Sequence, residues 1–272
     1  MSLNHNIGAL ASRSSMYNSS YNLNKSIERL STGLRINRAS DDASGLAISE
    51  KLRAQVKGLG AANKNAKTAI NVLSIAEGAL NEVSAIAQRM RELSVQAADD
   101  SLTSEDRGYL NQEFDQLKSE ITRISDTTEF NGSKLLDGTF SNKDFQIGAN
   151  NSTNDRLNVS VDDLDSTAIG IGNSDISSKA NAQAAIDALD SAINSVNSQR
   201  SDIGAYVNRL EHTITNNDLS ALNTQAAESA IRDVDIGEEL ANKTKNEILM
   251  QAGQMALQSS FQQQQMIGRL LG

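Results

Sequence analysis

The chain has 272 residues and contains no proline, no cysteine and no tryptophan. Ordinary usage supplies about 5% proline, so its complete absence is informative. Proline breaks helix interiors and shapes turns, and a chain without it suits long uninterrupted helices. Without cysteine there is no disulfide framework, zinc–thiolate site, iron–sulfur cluster or thiol nucleophile. The two histidines, His5 and His212, lie far apart in sequence, which leaves histidine-based metal and acid–base sites without their ligands. Aromatic residues are 3% of the chain and hydrophobic residues 38%, too few for a thick core but enough for narrow seams between helices. A net charge of −9, from 25 basic and 34 acidic residues, excludes the electrostatic footprint of a nucleic-acid binder. No apolar run approaches the roughly 18 residues of a membrane span. The opening MSLNHNIGALASRSS lacks the basic and apolar regions of a signal peptide, so any secretion is expected to proceed without a cleaved leader.

Helical periodicity dominates what is present. Leu3, Ile7, Leu10, Tyr17 and Tyr21 form a stripe with Ser14 in the seam, which resumes at Leu23, Ile27, Leu30 and Leu34. Spacings of three and four define an amphipathic helix, weakened around Gly33. Ser40-Asp41-Asp42 reads as the next helix start. From Ala43 to about Ala98, Leu52, Leu59, Ala66, Leu73, Leu80 and Ala87 recur every seven residues, predicting a helix about 80 Å long. A third helix starts at Ser104 and carries Leu110, Phe114, Leu117, Ile121 and Ile124 before the Asn131-Gly132 turn signal. Residues 131–178 hold short alternating runs, Phe145 to Ile147 and Leu157 to Val161, that read as turns and a small β-hairpin. Helical spacing returns from Ala182 to Ile214 with Arg200 in the seam, and a last segment from about Gln225 ends in a glutamine-rich tail. Arg200 is either a buried polar residue fixing register or an arginine laid along the seam with its head in water. The expected fold is mainly α: a long antiparallel helical bundle or coiled coil formed by the N- and C-terminal halves, with a small β-hairpin region at its tip.

No constellation for chemistry survives inspection. Gly58-Leu-Gly60 and Gly170-Ile-Gly172 meet Asn63 and Asp175 where a dinucleotide fingerprint requires glycine. Asp233-Val-Asp235 lacks the ligand series and terminal glutamate of a calcium loop, and reads as a helix start. His212 reads as a surface or hydrogen-bonded residue. Neither a cofactor nor a metal is expected, and the chain is read as no enzyme. Both terminal stripes are amphipathic but thin, and alone they bury too little to be stable. Disordered tails rarely keep helical phase nearly to the last residue, so folding upon assembly with further copies is the expectation.

Four runs carry a family resemblance: LSTGLRINRASDDASGLAIS over Leu30–Ser49, QRMRELSVQ over Gln88–Gln96, EFNG over Glu129–Gly132 and AESAIRDVD over Ala227–Asp235. They resemble, in order, the sequence of bacterial flagellin. The resemblance implies an extracellular filament subunit, exported through the flagellar type III apparatus and polymerised at the distal tip into a hollow helical propeller. It implies an inner filament core from residues 1–42 and 228–272, and an outer rod domain over 43–227. That rod would hold helices at 43–98, 104–129 and 180–217 and the β/turn region at 131–178. The core interface would use Leu3, Ile7, Leu10, Ile27, Leu30, Leu34, Ile248, Met255 and Phe261. By the same resemblance Arg89, Leu93 and Glu113 match a patch sensed by the host Toll-like receptor for flagellin. Leu240, Ile248, Ala252 and Met255 match the segment held by the flagellar export chaperone, and a filament cap is a further implied partner. No nucleic-acid or membrane partner is implied. A hook–filament junction protein shares the terminal pattern, though the full Leu30–Ser49 and Ala227–Asp235 runs favour flagellin. A helical signalling or chaperone module, the reading from a different class, would not need two such termini.

Overall fold

The computed structural model describes residues 6–271. Its helices are α1 (Ile7–Thr32), α2 (Ala43–Ala97), α3 (Ser104–Thr127), α4 (Lys179–Arg232) and α5 (Ile236–Leu271). Between α3 and α4 lie two antiparallel strand pairs, β1 (Glu129–Phe130) with β2 (Ser133–Lys134) and β3 (Lys143–Gln146) with β4 (Arg156–Val159). The chain divides into two compact units: Gln55–Leu222, and Met1–Ala54 with Asn223–Gly272. Among the described residues no helix is long and apolar enough to cross a membrane.

The Gln55–Leu222 unit holds the conventional core. The seven-residue repeat of α2 lines it: Ala66, Leu73, Leu80, Ala87, Val83 and Met90 are all fully buried. From α3 come Phe114 and Ile121, and from α4 Ala182, Leu189, Val196, Ile203 and Leu210. Alanine at many of these positions lets helix axes approach closely, which is how a chain with few aromatics still packs. The α2–α4 pairing is antiparallel: Arg91 meets Asp190 at 2.6 Å, and Asn63 meets Asp218 at 2.6 Å. A capping box of Thr103 and Asp106 starts α3. After α3 the chain turns through Asn131 and Gly132, with φ of 51° and 76°, as a two-residue hairpin loop requires. The segment beyond β4 covers the core with Val161, Leu164, Ile169, Ile171 and Ile176.

The observed helices differ from the sequence expectation in two places. α4 does not stop near residue 217 but runs unbroken to Arg232. At the expected boundary Asn217 is buried and donates to Asn63 Oδ1 at 3.0 Å and to Ile147 O at 2.8 Å. A polar residue whose bonds are satisfied inside the seam costs the helix little. α3 ends at Thr127, two residues before its expected end, because Glu129 already pairs with Lys134. Arg200 is half-buried, and its Nε is enclosed without an acceptor.

In the other unit α1 and α5 run antiparallel, with Asn6 at Ser260, Met16 at Gly253 and Arg29 at Glu239. α1 ends at Gly33, whose φ of 71° is the left-handed conformation of a helix stop. The next residues are extended, and Leu34 forms an antiparallel bridge with Asp233. Arg35 N donates to Arg232 O at 2.7 Å, and the Arg35 guanidinium to Ile231 O at 2.5 Å. The linker after α1 thereby satisfies two carbonyls that the end of α4 leaves open. Asp42 caps α2 by accepting from Gly45 N at 2.8 Å. A Cβ at Gly45 would lie 2.4 Å from Asp42 Oδ2 and 2.8 Å from Ile36 Cδ1, so any larger residue must displace the capping carboxylate and the Ile36 side chain. Asp235 likewise caps α5 through Gly237 N at 2.8 Å.

Candidate assembly surface

The α1–α5 seam follows a heptad pattern that differs from the apolar stripe. On α1 it consists of Ser12, Met16, Ser19, Leu23, Ser26 and Leu30, all buried or half-buried. On α5 it consists of Asn246, Met250, Gly253, Leu257 and Ser260, each half-buried. Each helix thus contributes one row of small or polar residues and one row of larger ones. Met16 packs over Gly253, where an added Cβ would stand 3.5 Å from Met16 Cβ. Such a seam allows close approach but removes little apolar area from water.

The larger apolar side chains point elsewhere. Ile7, Leu10, Tyr17 and Tyr21 on α1 are 72%, 68%, 74% and 62% exposed. Ile27, Leu240, Ile248, Leu249, Met255, Phe261 and Met266 are exposed as well. Leu30 and Leu34 are half-buried, Ala252 is exposed, and Leu3 lies outside the described residues. Between the helices a groove of about 640 Å³ is lined by Leu10, Arg13, Met16, Tyr17, Met250 and Gln254. Charge is sparse here: the first acidic residue of the chain is Glu28 and the last is Glu247. An apolar array of this extent on one helix pair marks an association surface.

Charges concentrate instead near the end of α1 and the start of α5. Arg29 pairs with Glu239, Arg53 with Glu228 and Arg232 with Glu50. Lys25 Nζ lies 2.9 Å from Asp41 Oδ1, and Asp41 Oδ2 accepts from the Asn37 and Arg38 amides at 3.2 and 3.1 Å. The Lys25 ammonium, aided by the Arg38 and Asn37 amides and opposed by burial, holds the Asp41 carboxyl at about 2.

Within the Gln55–Leu222 unit, Arg89 grips Glu113 through Nε and Nη2 at 3.0 and 2.9 Å, and Glu92 through Nη1 at 3.1 Å. The hydrogen bonds that Arg89 donates to these carboxylates, Glu113 first, raise its pKa. The pair is exposed, but Leu93 is fully buried beneath it. The structure therefore brings Arg89 and Glu113 together as a surface feature and places Leu93 in the core, because Leu93 lies on the packed face of α2.

Residues 3–141 match the bacterial flagellin N-terminal helical region, and residues 186–271 the bacterial flagellin C-terminal helical region. A flagellin of Halalkalibacterium halodurans is 47% identical over 274 residues, spanning 100% of both chains. The chain belongs to the bacterial flagellin family. The crystal structure of Bacillus cereus flagellin aligns with 57% of this chain and 88% of its own, at 31% identity and a TM-score of 0.52. A putative flagellar hook-associated protein from Vibrio parahaemolyticus aligns with 71% of this chain and 100% of its own, at a TM-score of 0.61. Its 17% identity makes that a likeness of fold alone, so the full-length flagellin match decides against the junction-protein reading.

The seam serines were the feature that sequence reading passed over. Ser12, Ser19 and Ser26 recur every seven residues, as do Asn246, Gly253 and Ser260. A search for small residues at heptad spacing finds both rows. A search for hydrophobic periodicity finds Leu23 and Leu30 of the seam but otherwise the exposed faces.

Proposed function

We propose that this chain is a structural subunit of the bacterial flagellar filament, outside the cell, and that it polymerises with its own copies through the outer faces of α1 and α5. It is not an enzyme. The observation that carries the interface is the division of labour on these helices: a seam of alternating small and larger residues within the chain, and a further set of large apolar residues left exposed outside it. Fully burying a side chain of the Leu, Ile, Phe or Met class yields about 1.5–3 kcal/mol. The exposed residues Ile7, Leu10, Ile248, Met255 and Phe261 together therefore offer roughly 5–10 kcal/mol per copy, before the cost of association is subtracted. Leu3, Ile27 and Leu34 complete this interface in our reading, whereas Leu30, expected there too, lies in the seam within the chain. Residues 1–42 with 228–272 would form the inner core, and 43–227 the domain outside it.

Purified protein, seeded and unseeded, is expected to form filaments visible by electron microscopy and to pellet on sedimentation. Chains lacking residues 1–30 should stay soluble while keeping the helicity of the Gln55–Leu222 unit. Protein that never forms filaments, even with seeds, refutes the reading.

Three further partners follow from the family resemblance. The exposed residues Leu240, Ile248, Ala252 and Met255 suit an export chaperone, which would shield them until assembly, and the filament cap would meet incoming copies at the growing end. Arg89 and Glu113, supported from beneath by Leu93, suit recognition of the monomer by the host Toll-like receptor for flagellin. Arg89→Ala is expected to reduce receptor activation by monomer, and unchanged activation rejects that assignment.

A further inference from the structure

A second, polar cavity of about 240 Å³ opens between α1 and α5, bordered by Asn22, Lys25, Arg29, Glu239, Lys245 and Asn246. Its volume is several times the ~30 Å³ share of one water molecule. Three of these residues are cations and only Glu239 is an acid. Glu239 accepts from Arg29 Nη1 at a long 3.3 Å. Lys25 is committed to Asp41 at 2.9 Å, so the surplus at the cavity is one positive charge, from Lys245. Two exposed donors at its rim, the Lys245 ammonium and the Asn22 amide, meet no acceptor among the described residues, and Arg29 Nε is enclosed, also without one. An enclosed N–H without an acceptor is costly, and native structures fill such a position with an ion, a water or a partner group.

We propose that this cavity binds a small tetrahedral or carboxylate oxyanion, taken up between Lys245, Arg29 and Asn22. An oxyanion supplies acceptors for the exposed Lys245 and Asn22 donors and an opposite charge beside the Arg29 guanidinium, and its bond to the ammonium is charge-assisted. A cation would meet the surplus positive charge, and an apolar group would leave the donors orphaned. The oxyanion is either an inorganic ion from solution or a carboxylate of a second copy. The site belongs to the α1–α5 pair, so the inference rests on the filament reading, in which that pair is ordered by assembly.

The test uses filaments assembled in chloride, with radiolabelled inorganic phosphate added at constant ionic strength and binding read by sedimentation. Saturable uptake approaching one phosphate per subunit, weakened at least tenfold by Lys245→Gln and not by Lys243→Gln, establishes the inorganic ion. Lys243 pairs with Glu247 and does not border the cavity, which makes it the control. If wild-type filaments take up no phosphate but Lys245→Gln alone raises the critical concentration severalfold, the carboxylate of a second copy fills the site. No saturable uptake, together with an unchanged critical concentration for Lys245→Gln, overturns the proposal. A wild-type chain that forms no filaments refutes the filament reading instead, so the two failures are distinguishable.

Discussion

Asn217 offers the sharpest energetic test of the Gln55–Leu222 unit. It is 8% exposed, and its amide donates both to Asn63 Oδ1 at 3.0 Å and to Ile147 O at 2.8 Å. Asn63 in turn donates to Asp218 Oδ1 at 2.6 Å. Asn217→Ala removes one donor group and strands two acceptors. A stranded buried group costs roughly 1–3 kcal/mol, and Asn63 keeps its bond to Asp218, so the expected loss is about 2–4 kcal/mol. In a unit of this size that lowers Tm by roughly 5–15 °C. The assay is urea denaturation of the monomer followed by circular dichroism at constant m. Asn217→Asp sharpens the test, because a carboxylate would face two acceptors where a donor is needed. At neutral pH it should destabilise more than alanine. As pH falls the acid becomes a donor through its proton, and the difference should shrink. A loss below about 0.5 kcal/mol for Asn217→Ala, or an aspartate variant that tracks alanine at every pH, refutes the account.

Other perturbations separate the two units. Asp41 has its carboxyl lowered from 3.8 to about 2, so its stabilising effect is complete above pH 3.8 and is lost as pH falls towards 2. Asp41→Asn filaments are expected to melt earlier at neutral pH, by about 1 kcal/mol after solvent screening, and to lose sensitivity in that acid window. Phe114→Ala empties a fully buried site and should cost the monomer about 3–5 kcal/mol in urea titration. Phe261→Ser alters a half-exposed side chain and should leave monomer Tm unchanged while raising the critical concentration for filament growth about tenfold or more. Gly45→Ala, by contrast, should disturb the start of α2 through its collision with Asp42 and Ile36, detectable as faster amide exchange there.

Much of the fold was legible because long helices announce themselves through periodicity. The repeat from Leu52 to Ala87 predicted α2 to within a residue of its observed end at Ala97, and Asn131-Gly132 marked the hairpin. The end of α4 was not legible. The apolar stripe fades after Ile214, and the acceptors that Asn63 and Ile147 offer to the buried Asn217 side chain come from elsewhere in the chain and do not show in the local pattern. The candidate surface was half legible. Ile7, Leu10, Ile248, Met255 and Phe261 stand out as an apolar stripe, but a stripe does not say which body it meets. The structure shows that α1 and α5 meet through Ser19, Leu23, Ser26 and Gly253 instead. Likewise Arg89, Leu93 and Glu113 came as one motif. Their differing depths became visible only when α3 was placed beside α2.

The small rows in the α1–α5 seam have a physical consequence for when order is acquired. Leucine in place of Ser19 and Ser26 would supply burial within the chain and move the helix pair towards standing alone. Exposed Ile7, Tyr17, Met255 and Phe261 would then be presented as a rigid apolar sheet by every free subunit, an invitation to indiscriminate association. Serine and glycine withhold that burial while still permitting close approach of the helices. In the proposed filament their pairing would become stable when neighbouring copies cover the outer faces, which would couple order and assembly in one step. The scarcity of aromatics and the modest hydrophobic content follow from the same arrangement. The Gln55–Leu222 unit closes its own core, while the terminal helices leave much of theirs to be completed by other copies.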